Sequence, residues 1–205
     1  MNKMVTNIML SSAEQNAVKN PEYILTKNSI INKVATLFGE LSMEYASLHN
    51  KLNTPKFALQ LHPKISKGEN YLGLPYLMLD FPRIFEKNHV FAIRSFFWWG
   101  NYFSITLHVK GKYKPLIHLK SMVESNTKWM YYIGIDEWEN NVHVHNLLPI
   151  SSTHLDFLVK DFQEKSFVRV VQLFDLSKWD NVKDMFLHAY TDILQTLDTI
   201  HLYGE

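Results

Sequence analysis

The chain has 205 residues, with 21 Lys and Arg against 20 Asp and Glu, a formal net charge of +1, and no Cys. Apolar residues make up 46% of it and aromatics 14%, which is too apolar and too weakly charged for a disordered chain. Absent Cys removes disulfides, thiol catalysis and Cys-ligated metal centres, and the near-neutral charge argues against a strongly basic nucleic-acid binder.

The length fits one domain over residues 1–205, with 1–20 expected to be loosely ordered. No stretch reaches the ~18 consecutive apolar residues of a membrane span. The opening MNKMVTNIMLSSA carries Lys3 and small residues, but Thr6 and Asn7 interrupt its apolar part. It falls short of the ~7–15 residues an export signal needs, so a cytoplasmic protein is expected.

Taken in chain order, Ile30, Ile31, Val34, Leu37, Phe38, Leu41, Tyr45, Leu48 and Leu52 recur at helical steps and predict an amphipathic helix from about Asn28 to Leu52. Pro55 prevents its continuation. Phe57 to Leu61 is a short strand candidate. His62 to Gly73, polar and with two glycines, reads as a turn-rich loop. Leu74 to Asp80 is a strand closed by Pro82, and Arg83 to Lys87 a helical turn.

The strongest signal is His89 to Lys110, two β-branched and aromatic runs around Gly100-Asn101. A two-residue turn there pairs Trp99 with Tyr102, Trp98 with Phe103, Phe96 with Ile105 and Arg94 with Leu107. A four-residue loop keeps this pairing, whereas a three-residue loop shifts it by one and exchanges faces.

Pro115 to Val123 reads as a short helix with Pro at its first position. Lys128–Ile135 and Asn141–Leu147 form a second hairpin across the acidic turn Asp136–Glu139. Thr153 and Asp156 suggest a cap for a helix through Phe162. Phe167 to Asp175 is an apolar run interrupted by Arg169 and Gln172, as in a buried strand. The last helix starts near Asp180, with an apolar stripe from Val182 to Ile200. The sum is an α+β fold, an antiparallel or mixed sheet built from hairpins and covered by long N-terminal and C-terminal helices.

Several enzyme signatures are missing. No two of the seven glycines are separated by one residue, which removes the dinucleotide fingerprint G-x-G-x-x-G. Gly111-Lys112 is followed by Tyr113, so there is no phosphate loop, and neither H-E-x-x-H nor G-x-S-x-G occurs.

Four constellations remain. His143 and His145 would share one face of a strand and, with His154 and an acid from 136–139, suit a metal. Arg94, on an apolar hairpin face, needs a counter-charge, for which Asp80, Glu69 and Glu86 are candidates and Asp80 is favoured; with Arg83 it could instead clamp a bound anion. Lys67 and Tyr71 in the 64–73 loop could contact a ligand as a flap. Trp99, Tyr102 and His108 on the hairpin mix apolar walls with polar groups, as small-molecule pockets do. For each a bland alternative exists: an exposed edge, a structural ion pair, a solvated connector, or plain burial.

The run LGLPYLMLDFPRIF (72–85) followed by FAIRSFFWWGNYFSITLHV (91–109) resembles an uncharacterised bacterial protein family of unknown function. The resemblance brings no catalytic residue and no cofactor. The expected role is therefore binding of a small ligand, an anion or a protein partner through the aromatic hairpin and the adjacent loop. The alternatives are a metal-dependent enzyme at the His-x-His strand and a structural homo-oligomer with an aromatic interface.

Overall fold

The computed structural model describes residues 8–51, 62–124, 128–142 and 144–201. Helix α1 (Ser12–Lys19) opens on a capping box, in which the Ser11 hydroxyl accepts from the Glu14 amide and the Glu14 carboxylate accepts from the Ser11 amide. It buries none of its residues. Asn20 turns extended ahead of Pro21, as a residue preceding proline prefers. Pro21 then starts α2 (Pro21–Lys51) at the position where its missing N–H costs nothing. The first turns of α2 project Tyr23, Ile24 and Leu25 into solvent, which is why the apolar periodicity begins only near Asn28. From there Ile31, Val34, Phe38, Leu41, Tyr45 and His49 form the buried stripe.

Among the described residues seven strands make one sheet: β1 (Lys64–Tyr71), β2 (Leu74–Phe85), β3 (Val90–Trp98), β4 (Tyr102–Lys110), β5 (Met130–Tyr132), β6 (Leu147–Pro149) and β7 (Phe167–Asp175). Their order is β1-β2-β3-β4-β7-β5-β6, and every neighbouring pair is antiparallel. Helices α3 (Leu119–Glu124), α4 (Leu155–Glu164) and α5 (Val182–His201) complete the α+β fold.

Several expectations need correction. The 64–73 stretch is not a loop but edge strand β1, turning into β2 through Leu72 and Gly73, both at positive φ. Its charged residues lie on an exposed edge, so it never shows apolar alternation, and its pairing comes from β2. Strand β2 does not stop at Pro82. It continues to Phe85 across a bulge and a cis Phe81-Pro82 bond, so 83–87 is not a helical turn. Gly111–Leu116 is a 3₁₀ turn with Pro115 inside it, and α3 starts only at Leu119. The candidate strand Phe57–Leu61 lies outside the described residues.

The aromatic hairpin forms, but with a three-residue loop. Trp98 pairs with Tyr102, Phe97 with Phe103, Arg94 with Thr106 and Ala92 with His108. The Asn101 amide donates to the Trp98 carbonyl at 3.1 Å, and Gly100 sits at φ 72° in the tight turn. This is the register shift that exchanges the faces. Phe91, Ile93, Ser95 and Phe97 now share a face with Phe103, Ile105, Leu107 and Val109, and that face lies under the helices.

Helices α2 and α5 cross this face together. Phe38 meets Phe186 edge-on at 6.0 Å, and Tyr45 stacks on Tyr190 at 3.6 Å. The buried hydroxyls find partners, as they must. Tyr45 bonds Ser95 at 3.0 Å, and Tyr190 donates to the Phe81 carbonyl at 3.2 Å while meeting His49 Nε2 at 2.6 Å. Burial pushes the His49 imidazole down to about 4, so it is neutral at pH 7.

Candidate functional site

The second face of the hairpin carries Ala92, Arg94, Phe96 and Trp98 from β3 and Tyr102, Ser104, Thr106 and His108 from β4. Strand β7 pairs with β4 so that Arg169 stands opposite His108. Asp80 of β2 stands opposite Arg94. The expected ion pair forms there: Arg94 donates Nε to Asp80 Oδ1 at 2.7 Å and Nη2 to Oδ2 at 3.1 Å, the bidentate geometry that favours Arg over Lys.

Among the described residues no helix covers this face. Residues 133–142, the loop between β5 and β6, lie over it instead. Tyr102 donates its hydroxyl to the Asn140 carbonyl at 2.8 Å and accepts the Val142 amide at 3.0 Å. The Tyr71 hydroxyl, from edge strand β1, donates to the Glu139 carboxylate and accepts the Asn140 and Asn141 amides at 3.0 and 2.8 Å. Lys110 holds both carboxylate oxygens of Glu137, at 3.0 and 2.8 Å. Arg94 Nη1 donates to Asn140 Oδ1 at 3.1 Å, and Arg169 Nη1 to the Glu139 carbonyl at 2.6 Å. The Trp138 ring packs against Phe85 and His108.

Burial dominates the electrostatics. Desolvation pushes both the Tyr71 and Tyr102 phenols up to about 12, keeping them protonated donors at pH 7. His108 falls to about 3 through burial first and then the Arg169, Arg94 and Lys110 charges. Arg169 is only 4% exposed, and its guanidinium stands 4.5 Å over the Tyr132 ring.

Four of the seven expected ligand-contacting residues therefore come together: Arg94, Tyr102, His108 and Tyr71. The other three do not join them. Trp99 packs on the opposite side against Phe97, Arg83 donates to the His62 carbonyl at 2.9 Å, and Lys67 is exposed on β1. The space between Arg94, His108, Arg169 and the covering loop is about 10 Å³, the room of one water. The aromatic face meets this chain's own loop.

Two of the three histidines of the expected metal set lie among the described residues. His143 lies outside the described residues. His145 is exposed in the 3₁₀ turn Val144–Asn146, not a strand, so the alternation argument does not apply to it. His154 Nδ1 bonds the Ser151 hydroxyl at 3.1 Å and lies 3.3 Å from the Pro149 carbonyl. Among the described residues no three His, Asp or Glu side chains are grouped to hold a metal.

A larger space lies on the helical side. Strand β5 pairs with Val170 and Val171 of β7, and among the described residues the end of β7 from Gln172 onward has no strand neighbour on that side. The gap continues as an open groove of about 1020 Å³ between β7, α5 and α3. Met122, Met130, Leu147 and Phe174 supply apolar walls, while Lys128, Asp184, His188 and Asp192 supply charge. Burial holds the Asp192 carboxyl above its ordinary range, and His188 and Lys128 oppose that rise. Arg169 and Gln172, the two polar interruptions of the apolar β7 run, thus mark one site each. The run showed them, but only the placement of β7 beside β4 and β5 shows what they face.

No helix among the described residues is long and apolar enough to cross a membrane. Comparison with family models, with curated proteins and with solved structures finds no match for this chain.

Proposed function

We propose that the protein is a binding protein that takes a small molecule with an apolar body and an amine group in the groove between α5 and the β7 edge. The observation that carries this is the groove itself, 1020 Å³ with mixed apolar walls and a charged rim. That is the size and character of small-molecule sites, at roughly 300–1,000 Å³ with a few placed polar groups. Asp184 and Asp192, two turns apart on α5, put two carboxylates on one groove wall. A cationic amine beside Asp192 would compensate a charge that burial disfavours. The sulfur-bearing walls Met122, Met130 and Met185 adapt to an irregular apolar body.

Titrating octylamine and octanoate into the protein, followed by amide chemical shifts, tests the reading. Octylamine is expected to shift the signals of Met130, Gln172 and His188, and octanoate to do so at least tenfold more weakly. Thr196→Trp, which fills the groove from α5, is expected to remove the shifts and leave the fold intact. Equal effects of the two amphiphiles, or shifts that survive Thr196→Trp, would overturn it.

A further inference from the structure

A small, partly open cavity on the other face of the sheet is separate from the groove. It is lined by Arg94, Thr106, His108, Glu137, Asn140 and Arg169, together with two apolar side chains. Its volume of about 10 Å³ admits one water or one single-atom ion. The charged and titratable groups facing it come from every element around it: Arg94 from β3, His108 from β4, Arg169 from β7 and Glu137 from the covering loop.

Their charges are not matched pair by pair. Arg94 is held by both oxygens of Asp80. Glu137 is held by Lys110 at 2.8 Å. Arg169 has no such partner: among the described residues no carboxylate lies within 4.0 Å of its guanidinium, although Glu139 and Asp136 act on it from further away. Its hydrogen bond goes to a neutral carbonyl, and its face rests on the Tyr132 ring. An unpaired guanidinium taken out of water is costly, and a carbonyl and a ring compensate it only in part. Beside it, His108 is 6% exposed, and its Nε2 is a buried polar atom without a hydrogen-bond partner. Such an atom in a native fold calls for an occupant.

We propose that this cavity is a halide site, in which a chloride ion sits between Arg169, Arg94 and His108 as the counter-ion of Arg169. The Nε2 tautomer of His108 donates to it without a charge on the ring. The volume excludes phosphate, sulfate and carboxylates, which need several times the space, so a monoatomic anion is the class that fits. The ion joins β3, β4 and β7 to the loop through Arg94, His108 and Arg169. It therefore fixes residues 133–142 onto the sheet, and its occupancy sets how tightly that loop is held.

Two measurements on the unmodified protein test this. Crystals grown in sodium bromide should show an anomalous peak in the cavity within contact distance of Arg169 and His108. Thermal unfolding at constant ionic strength should give a higher midpoint in sodium chloride or bromide than in sodium gluconate. Above the dissociation constant, each tenfold rise in halide should raise the folding equilibrium constant about tenfold. Arg169→Gln should remove that dependence; should this variant not fold, the bromide peak decides alone. A water in the cavity of bromide-grown crystals, or equal midpoints in chloride and gluconate, would overturn the proposal.

Discussion

The two faces of the sheet are closed in different ways. Under α2 and α5 the closure is apolar: Phe38, Phe103, Phe174 and Phe186 meet ring to ring, and the Tyr45 and Ser95 hydroxyls bond each other within the layer. Over Arg94, His108 and Arg169 the closure is a ten-residue stretch of loop held mainly by tyrosine hydroxyls, guanidiniums and one lysine. Apolar burial scales with area and tolerates small changes in angle. Hydrogen bonds lose their value once a donor is misplaced, and leave buried polar atoms behind. The helical face should therefore carry most of the stability, and the loop-covered face should open first.

The largest expected effect is on the helical face. Phe186→Ala empties the contact between Phe38, Phe103 and Phe174, and should cost about 3–5 kcal/mol in urea unfolding. A loss below about 2 kcal/mol would mean that the helices do not anchor the fold.

Acid probes both faces at once, because each buries one neutral histidine. His49 lies under the helices with its imidazole pushed down to about 4, and His108 lies under the loop at about 3. In the unfolded chain both titrate near 6.5. Between these values the unfolded state binds more protons, so stability is full above pH 6.5 and falls as pH drops toward 4. From pH 7 to pH 5 the loss should be about 2 kcal/mol for each residue. His49→Phe and His108→Phe should each halve the slope of stability against pH. A slope unchanged in either variant would show that its histidine is already charged in the fold.

The smallest effect separates the faces best. Tyr71→Phe and Tyr102→Phe each remove a hydroxyl that accepts loop amides, at about 1 kcal/mol apiece. Hydrogen exchange at Asn140, Asn141 and Val142 should speed up about fivefold in these variants. Amides of α5 should be unaffected. Equal acceleration in both places would mean that the faces unfold as one unit.

Particular residues show how much of this was legible in the chain. That Arg94 needs a counter-charge was readable in the chain, but among Asp80, Glu69 and Glu86 it was the pairing of β2 with β3 that set Asp80 opposite it. The faces of the hairpin were not. Trp99-Gly100-Asn101 closes as a three-residue loop, one residue longer than the Gly-Asn turn that local preference favours, and this exchanged which β4 side chains share a face with each β3 residue. Ser95, buried to 0% under the helices, shows what decided the register. Its hydroxyl meets Tyr45, fifty residues away, and no local rule weighs that contact. Strand β1 was hidden for the opposite reason: an exposed edge needs no alternation, so its sequence looks like a loop.

The sequence by itself determined the class of fold, the two long helices, the hairpin, strand β7 and the need of Arg94 for a counter-charge. These follow from periodicity and from charge that burial must compensate, both of which are local. Only the tertiary structure decided which face each aromatic takes, that residues 133–142 close the second face, and that Arg169 and Gln172 look into different spaces. Those outcomes depend on strand order and register, where one residue of slip reverses a whole face.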